Sequence, residues 1–331
     1  MAYTARVQQV HDVLAMHLQS GQYQPGERFL SNRALAERYQ VSYQTADRLL
    51  RDLVTQGLLE RRAQSGTYVS GEAQALRGVS LVLHPRAARK DSFGVKLRRT
   101  LTHALMENGG CDDFQVFTNE NPKPPANHLL VVWDRPKWVP QWADQGRRMV
   151  LVNDHPGLGT ATQRIDSVST DNVAGGALAA DLLKRFSPEG TSFTVLAGPR
   201  ADRRAADRVE GFVARHRAKV VYAESWFSES AFAVSQWVLD TKPQGVFVTN
   251  DRLAQGFVDY CRQAGQRIPP IVGFDDAPVA EQLGLTTIAI PWQDLGAGVR
   301  QIVDQRLRGH EGAPVRQTYA PVPVLRPLGL T

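Results

Sequence analysis

Two serine-led helix starts and a pair of short strands, set in fixed order between residues 30 and 70, constrain this chain more than any other feature. Ser31 precedes Asn32-Arg33-Ala34-Leu35-Ala36, and Ser42 precedes Tyr43-Gln44-Thr45-Ala46. A serine before an apolar-periodic run is the usual N-cap, because its hydroxyl accepts from a first-turn N–H. Leu35 and Tyr39 give the first helix an inner face. Ala46, Leu49, Leu50 and Leu53 do the same for the second, and Gln40-Val41 leaves room only for a tight turn. Gly57 ends the second helix. Leu58 to Arg62 and Thr67 to Ser70 then read as strands around the polar tip Ala63-Gln64-Ser65-Gly66, where Gly66 is free to take positive φ. Upstream, residues 4–19 form an amphipathic helix with Val7, Val10, Leu14 and Leu18 on one stripe, and Gly21 and Pro25-Gly26 break the chain after it. The expected fold of this part is a winged helix-turn-helix, an α+β unit that holds duplex DNA.

In such a unit the second helix presents its N-terminal residues to the major groove. Here these are Tyr43, Gln44, Asp47 and Arg48, opposite Leu49 and Leu50. Gln44 has the donor–acceptor pair for adenine, and Arg48 the fork for guanine. Ser42, Thr45 and Arg33 suit phosphate, where they fix register without reading sequence. Gln64 to Gly66 would reach the backbone or the minor groove. Solvated polar residues on an ordinary helical domain would be the bland alternative, but caps, turn and wing agree with each other. The segment resembles the GntR-type winged-helix domain over its whole length. The resemblance rests on the Pro-Gly-Glu-Arg turn, Ser-x-Arg-x-Leu-Ala, Val-Ser-x-x-Thr, Gly-Leu-Leu and the Gly-Thr-Tyr-Val wing. It departs at Leu30, where the family carries proline, and at Tyr43, where it carries arginine. Tyrosine can stack or bond phosphate but cannot make a bidentate guanine contact.

At 331 residues the chain holds two or three units. Its net charge of +6 and pI of about 9.5 suit a polyanionic partner without proving one. Cys111 and Cys261 stand far apart, so a disulfide framework is not expected and a reducing cytoplasm is. No apolar run suits a bilayer, and Met1-Ala2-Tyr3-Thr4-Ala5-Arg6 lacks a signal-peptide core, so neither membrane nor secretion is expected.

Residues 71–78 read as a linker between the DNA-binding unit (1–70) and the remainder (79–331). Beyond it, apolar strands at Val79–Leu83, Phe114–Phe117, Leu129–Trp133, Met149–Val152, Phe193–Leu196, Val246–Val248 and Ile271–Phe274 alternate with helices. The helices fall near 92–108, 172–186, 204–216, 229–239 and 252–264. That alternation predicts α/β lobes with parallel sheets, breaking near Phe186 to Thr191. The region resembles the sugar-responsive regulatory domain of the LacI/GalR family, which has the two-lobed periplasmic-binding-protein type I fold. The residues carrying the resemblance are Val168-Ser169-Thr170-Asp171-Asn172-Val173-Ala174-Gly175-Gly176, Leu196-Ala197-Gly198-Pro199 and Arg208-Val209-Glu210-Gly211-Phe212. Phe247-Val248-Thr249-Asn250-Asp251, Ile271-Val272-Gly273-Phe274-Asp275-Asp276 and Leu285-Thr286-Thr287-Ile288, then Pro291, Leu295 and Gly296, continue it in order. It implies an N-lobe of about 79–188 and 291–309 and a C-lobe of about 189–290 and 310–331.

By the same resemblance Arg208, Asn250 and Asp275 fall where polar ligand contacts lie, Trp226 where a stacking ring lies, and Phe93 forms the opposite wall. A polyol needs such groups: flat apolar surface for its C–H faces and charged groups that chelate neighbouring hydroxyls. Read without the family, Asp275 can cap a turn, Arg208 can be a surface charge and Trp226 can be packing. Asp171-Asn172 are expected to cap the helix that follows. Two departures stand out. Between Phe117 and Leu129 only Asn121-Pro122-Lys123-Pro124-Pro125 and its flanks replace a helix of the family. The charged loop His84 to Lys90 carries no sugar-binding signature.

Together the parts predict a ligand-responsive transcriptional regulator similar to arabinose-responsive repressors. It would be a homodimer on an operator, altered by a sugar-like effector, with no cofactor, no metal and no enzymatic activity. A regulator answering a non-sugar metabolite, or one whose pocket binds nothing, is the alternative. A solute-binding protein would want a secretion signal and no DNA unit. An enzyme fusion of the pyridoxal-phosphate type would want a longer part with a Schiff-base lysine. No nucleophile–base set stands out in the sequence, and His84, His103, His128, His155 and His216 are scattered singly.

Overall fold

The computed structural model describes residues 4–19, 22–73, 75–89, 92–107, 111–154, 165–186, 192–310 and 312–326. Residues 187–191 of the expected lobe break at Phe186 to Thr191, together with Lys90 and His155, lie outside them. The chain divides into two compact units. One comprises Met1–Val82, Asn108–Ser167 and Arg300–Val315; the other comprises Leu83–Glu107, Val168–Val299 and Arg316–Thr331.

The first unit opens with three helices, α1 (Ala5–Gln19), α2 (Asn32–Tyr39) and α3 (Tyr43–Thr55). Ser31 Oγ accepts from Ala34 N–H at 3.2 Å and Ser42 Oγ from Thr45 N–H at 3.1 Å, so both serine caps form as the sequence predicts. Gln40 takes a left-handed φ of 51° and turns the chain between the two helices. Gly57 does so at 73° after α3. Leu14, Leu18, Leu35, Leu49, Leu50 and Leu53 bury completely against each other. Antiparallel strands β1 (Leu59–Arg62) and β2 (Gly66–Val69) form the wing, in register from Leu59–Val69 to Arg62–Gly66. Gln64 (φ 59°) and Gly66 (φ 124°) turn its tip. The Pro-Gly-Glu-Arg turn runs alongside β2, with Phe29 N–H donating to Thr67 O at 2.8 Å and Val69 N–H to Glu27 O at 2.9 Å.

Two six-stranded sheets follow. The first draws on β3 (Gly78–Leu83), β4 (Phe114–Phe117), β5 (His128–Trp133), β6 (Met149–Val152), β7 (Ile165–Thr170) and β13 (Arg316–Tyr319), in the order β13-β7-β6-β5-β3-β4. The strand expected to start at Val79 begins one residue earlier, at Gly78. β3 pairs in parallel with β4, and β5 with β6. No helix lies between β4 and β5. The proline-rich stretch crosses there instead, and its carbonyls need donors that proline cannot give. Buried arginines supply them. Arg147 Nη2 donates to Pro125 O at 2.6 Å, and Arg135 Nη2 donates to Asn119 O. Trp138 Nε1 donates to Glu120 O at 3.2 Å from α5 (Trp138–Asp144).

The second sheet contains β8 (Phe193–Ala197), β9 (Ala218–Tyr222), β10 (Gly245–Val248), β11 (Ile271–Asp275), β12 (Thr287–Ala289) and β14 (Val322–Val324), in the order β14-β12-β11-β10-β8-β9. Its neighbours are parallel except for β14, which runs antiparallel to β12. The helices are α4 (Phe93–Met106), α6 (Asn172–Arg185), α7 (Arg203–Arg215), α8 (Ser228–Asp240), α9 (Asp251–Gln263), α10 (Pro278–Gln282) and α11 (Trp292–Leu307). Helices α6 and α7 approach to backbone contact. A β-carbon on Gly176 would strike the carbonyl of Arg208, and one on Gly211 the carbonyl of Val173. Val246, Val248, Phe257 and Ile271 belong to one buried apolar core.

Candidate DNA and effector sites

The exposed end of α3 carries Ser42, Tyr43 and Gln44, with Tyr43 62% exposed. Arg33 at the start of α2 is exposed, as are Gln64 and Gly66 at the wing tip. Thr45 and Arg48 are half-buried. Thr45 Oγ1 shares a hydrogen with Ser42 Oγ at 2.8 Å, and Arg48 Nε lies 4.0 Å from Asp52. Asp47 does not serve as expected. Arg61 Nη2 of β1 donates to its Oδ1 at 2.8 Å, Asn32 Nδ2 donates at 3.0 Å, and Arg51 Nε pairs with Oδ2 at 3.0 Å. The carboxylate therefore pins α3 to the wing and to α2 instead of facing a groove edge. These hydrogen bonds, Arg61's foremost, hold its carboxyl below the ordinary range. Arg28 is a residue the sequence reading missed. Its guanidinium packs over Gly66, and its backbone bridges to Tyr68, so the Pro-Gly-Glu-Arg turn and the wing form one ridge.

In the second unit the structure brings Arg208, Trp226, Asn250 and Asp275 together. Arg208 on α7 is fully buried, with its Nη1 3.2 Å from Asp275 Oδ1. Nε donates to Asn172 Oδ1 at 2.8 Å, Nη1 donates to Thr249 O, and the guanidinium lies 3.7 Å above the Phe274 ring. Arg208 is thus a buried anchor, not a surface charge. Asp171 caps α6 as expected, accepting from Ala174 N–H at 2.8 Å, whereas Asn172 orients Arg208 instead. Asn250 caps α9 through Leu253 N–H at 2.7 Å and reaches Trp226 O at 3.4 Å. Trp226 packs against Gly198, where a β-carbon would come within 2.6 Å of the ring. Its Nε1 donates to Asp202 Oδ2 at 2.8 Å, and both Arg204 and Arg208 stand over its ring at 5.7 Å.

Asp275 and Asp276 both take positive φ, 101° and 50°. Few non-glycine residues do so, and strain of this kind persists only where surroundings hold it. Here the hold is Asp251, fully buried at the start of α9. Its Oδ2 accepts from Ala277 N–H at 2.8 Å and its Oδ1 from Thr287 Oγ1 at 2.7 Å. Burial, and then the Asp275 charge, push the Asp251 carboxyl well above its ordinary value. Burial also raises Asp275 to about 6, against the pull of Arg208 and Arg204. Asp275 Oδ1 makes its contact with Arg208 in that ion pair at 3.2 Å. Burial opposes the charge of Asp202 too, but the bonds from Arg204 and Trp226 outweigh it and bring the group to about 2.

Phe93 sits where α4 begins and meets Trp292 at 5.1 Å between ring centroids. One turn on, Lys96 lies over the same indole at 5.1 Å and donates to Asp276 O at 2.6 Å and Oδ2 at 3.2 Å. Arg326 Nη2 donates to Asp276 Oδ1 at 2.7 Å. Lys96, Trp292, Asp276, Arg204 and Asp202 were not picked out by the sequence reading. The spacing of Phe93 and Lys96 on one helix face was the available signal for the first. Among the described residues no group of His, Cys, Asp and Glu could hold a metal, and no helix is long and apolar enough to cross a membrane.

Residues 6–69 match the model of bacterial regulatory proteins of the gntR family, and residues 191–327 match that of the periplasmic binding protein-like domain. The ribose import binding protein RbsB of Salmonella typhimurium is 29% identical over 182 residues, covering 51% of this chain and 60% of that protein. This chain therefore spans less than two thirds of that relative's length. The arabinose metabolism transcriptional repressor of Geobacillus stearothermophilus is 26% identical over 326 residues, covering 87% of each chain. The solved structure of a transcriptional regulator CelR–cellobiose complex superposes with a TM-score of 0.64 at 21% identity, covering 88% of this chain and 92% of that one, and supports the fold. The chain combines a gntR-type winged helix with a two-sheet α/β domain of the periplasmic-binding-protein type.

Proposed function

We propose that this chain is a ligand-responsive, DNA-binding transcriptional regulator: a cytoplasmic homodimer that represses carbohydrate-use genes until a sugar-like effector alters its grip on an operator. One observation supports the effector half most directly. Asp275, buried and held in a left-handed backbone, pairs with the Arg208 fork beside the Trp226 face. That is what a hydroxylated ring requires: a carboxylate acceptor, a fixed donor and a flat apolar plane. Phe93 and Asn250 complete the set.

In the DNA half, Gln44, Tyr43 and Arg48 face the bases. Arg33, Ser42 and Thr45 hold phosphates, and Gln64 and Gly66 of the wing lie along the backbone. Two lobes, one built on each six-stranded sheet, would close on the effector and shift the spacing of the two heads; the expected bounds of 79–188 with 291–309 and 189–290 with 310–331 need one change, since β13 (Arg316–Tyr319) belongs to the first sheet and only β14 of the last segment to the second. Unequal affinity of the effector for the two states is the thermodynamic requirement. The reading involves no cofactor and no catalysis.

The test is selection of a duplex from a random library with the full chain, followed by titration of the selected duplex with and without a carbohydrate panel. The proposal expects a pseudo-palindromic site and an affinity that changes with at least one compound. A panel member that binds the protein without moving operator affinity would refute the coupling.

A further inference from the structure

The turn before α2 carries a cation that the DNA contacts above leave out. Resting on the DNA-binding reading, we propose that Arg28 enters the minor groove beside each half-site and makes the protein prefer A·T-rich flanks.

The backbone fixes where Arg28 stands. Gly26 N–H donates to Val69 O at 2.9 Å, Val69 N–H to Glu27 O at 2.9 Å and Phe29 N–H to Thr67 O at 2.8 Å. Arg28 itself forms an antiparallel bridge with Tyr68. Residues 26–29 therefore lie along β2 as a third edge of the wing, and an extended chain sends neighbouring side chains opposite ways. Phe29 turns into the core of the winged-helix unit and meets the Tyr23 ring edge-on at 4.9 Å, whereas Arg28 is exposed. Its guanidinium reaches the wing tip: a β-carbon on Gly66 would lie 3.4 Å from Nε and 3.5 Å from Nη2. Glycine at that position lets the planar fork lie against the main chain.

The wing's own arginines are already engaged. Arg62 donates to Glu60 Oε1 from Nε at 2.9 Å and Nη2 at 2.7 Å, and its guanidinium lies 4.3 Å over the Tyr68 ring. Arg61 shares Asp47 with Arg51. Glu27, next to Arg28 in sequence, accepts from Gln24 N–H at 2.8 Å. Arg28 forms no ion pair among the described residues, so its donors are open to DNA. The minor groove is about 6 Å wide and narrower over A·T runs, where its negative potential draws in arginine. Gly66 adds no side chain to the width of the tip, and a guanidinium is weakly enough hydrated to leave water for such a slot. A G·C pair sets the guanine N2 amino group in the groove, a donor facing a donor, and so disfavours the same contact.

The experiment binds the full chain to the duplex selected from the random library, with the base pairs flanking each half-site rewritten as A·T, G·C or inosine·C. Inosine keeps the major-groove edge of guanine but lacks its minor-groove amino group, so it separates the two grooves. Fluorescence anisotropy should rank A·T and inosine·C flanks together, about fivefold or more above G·C. Arg28→Gln should bring the three flanks level while preference for the half-site itself survives, with folding checked by thermal melting. Equal affinity of the unaltered chain for all three flanks overturns the proposal without any variant. An Arg28→Gln protein that binds every flank more weakly but keeps their ranking overturns it too, since that is the mark of a phosphate contact. A chain that selects no duplex would sink the DNA-binding reading and this inference together. A selected half-site with indifferent flanks sinks this inference alone.

Discussion

Arg208 and Asp275 form an ion pair whose side chains are only 3% and 6% exposed, and the pair joins α7 to the carboxyl end of β11. Removing water from two charges costs energy that their attraction repays only with supporting hydrogen bonds. Asn172, Thr249 and the Phe274 face support Arg208. Asp275 has less support, which is why its carboxyl rises to about 6.

Arg208→Met leaves Asp275 buried without its nearest cation. The expected loss is about 3–5 kcal/mol of unfolding free energy at neutral pH, the usual cost of breaking a buried pair from one side. The loss should shrink in acid, where Asp275 takes up a proton and no longer needs a partner. Urea melts at neutral and acid pH check this. An equal loss at both would mean that the guanidinium acts through packing alone.

The raised Asp275 also sets a pH window. Its folded value lies above the unfolded one, so its contribution to stability is fully present below about pH 4 and is lost as pH rises through about 6. Asp202 runs the other way: its folded value of about 2 gives stability present above the unfolded value and lost as pH falls towards 2. An effector that donates to the Asp275 carboxylate should bind more weakly as pH drops through about 6, even though Asp275 itself then disfavours folding less. Calorimetry across that range, with parallel melts, would show binding and this stability component moving in opposite directions.

Gly176 and Gly211 let α6 and α7 touch backbone to backbone, one glycine beside the Arg208 carbonyl and the other beside that of Val173. Alanine at either position must push the helices apart, because neither carbonyl can swing away like a side chain. Overpacking of this kind costs about 1–3 kcal/mol or more. Since α7 carries Arg208, Gly211→Ala should also weaken effector binding, whereas Gly71→Ala, with no neighbour within 4 Å, should change neither melting nor binding.

The elements that sequence reveals best are those whose burial needs no partner. Val79–Leu83, Leu129–Trp133 and Met149–Val152 are apolar runs, and each proves to be a buried strand. Ile165–Thr170 escapes notice because Asp166, Ser167 and Ser169 interrupt it. It is buried all the same, since Arg306 reaches Asp166 with two bonds, at 2.8 and 2.7 Å. That pairing spans 140 residues and leaves no local mark. The site divides the same way. The motifs carrying Arg208 and Asp275 locate those two groups, but nothing in Asp275-Asp276 says that the first meets Arg208 while the second meets Lys96 and Arg326. Nor does the helix pattern of α3 show that Asp47 turns away towards Arg61.

That last contact yields the sharpest test of the DNA half. Gln44 is exposed at the start of α3, and its amide can read adenine, whereas Arg33 can only neutralise phosphate. Gln44→Ala should cost about 1–3 kcal/mol on the selected operator and little on random duplex. Arg33→Ala should weaken both and lower the slope of log affinity against log salt by about one. Asp47→Ala should act differently from either. Freed from Asp47, Arg51 and Arg61 lose the carboxylate that ties α3 to β1, so the wing loses its fixed angle to the recognition helix. Nonspecific affinity should hold or rise, because a negative charge is gone, while preference for the operator falls. Fluorescence anisotropy with both duplexes over a salt series separates the three. If Asp47→Ala lowered affinity for both duplexes with the preference intact, Asp47 would not be what aligns helix and wing.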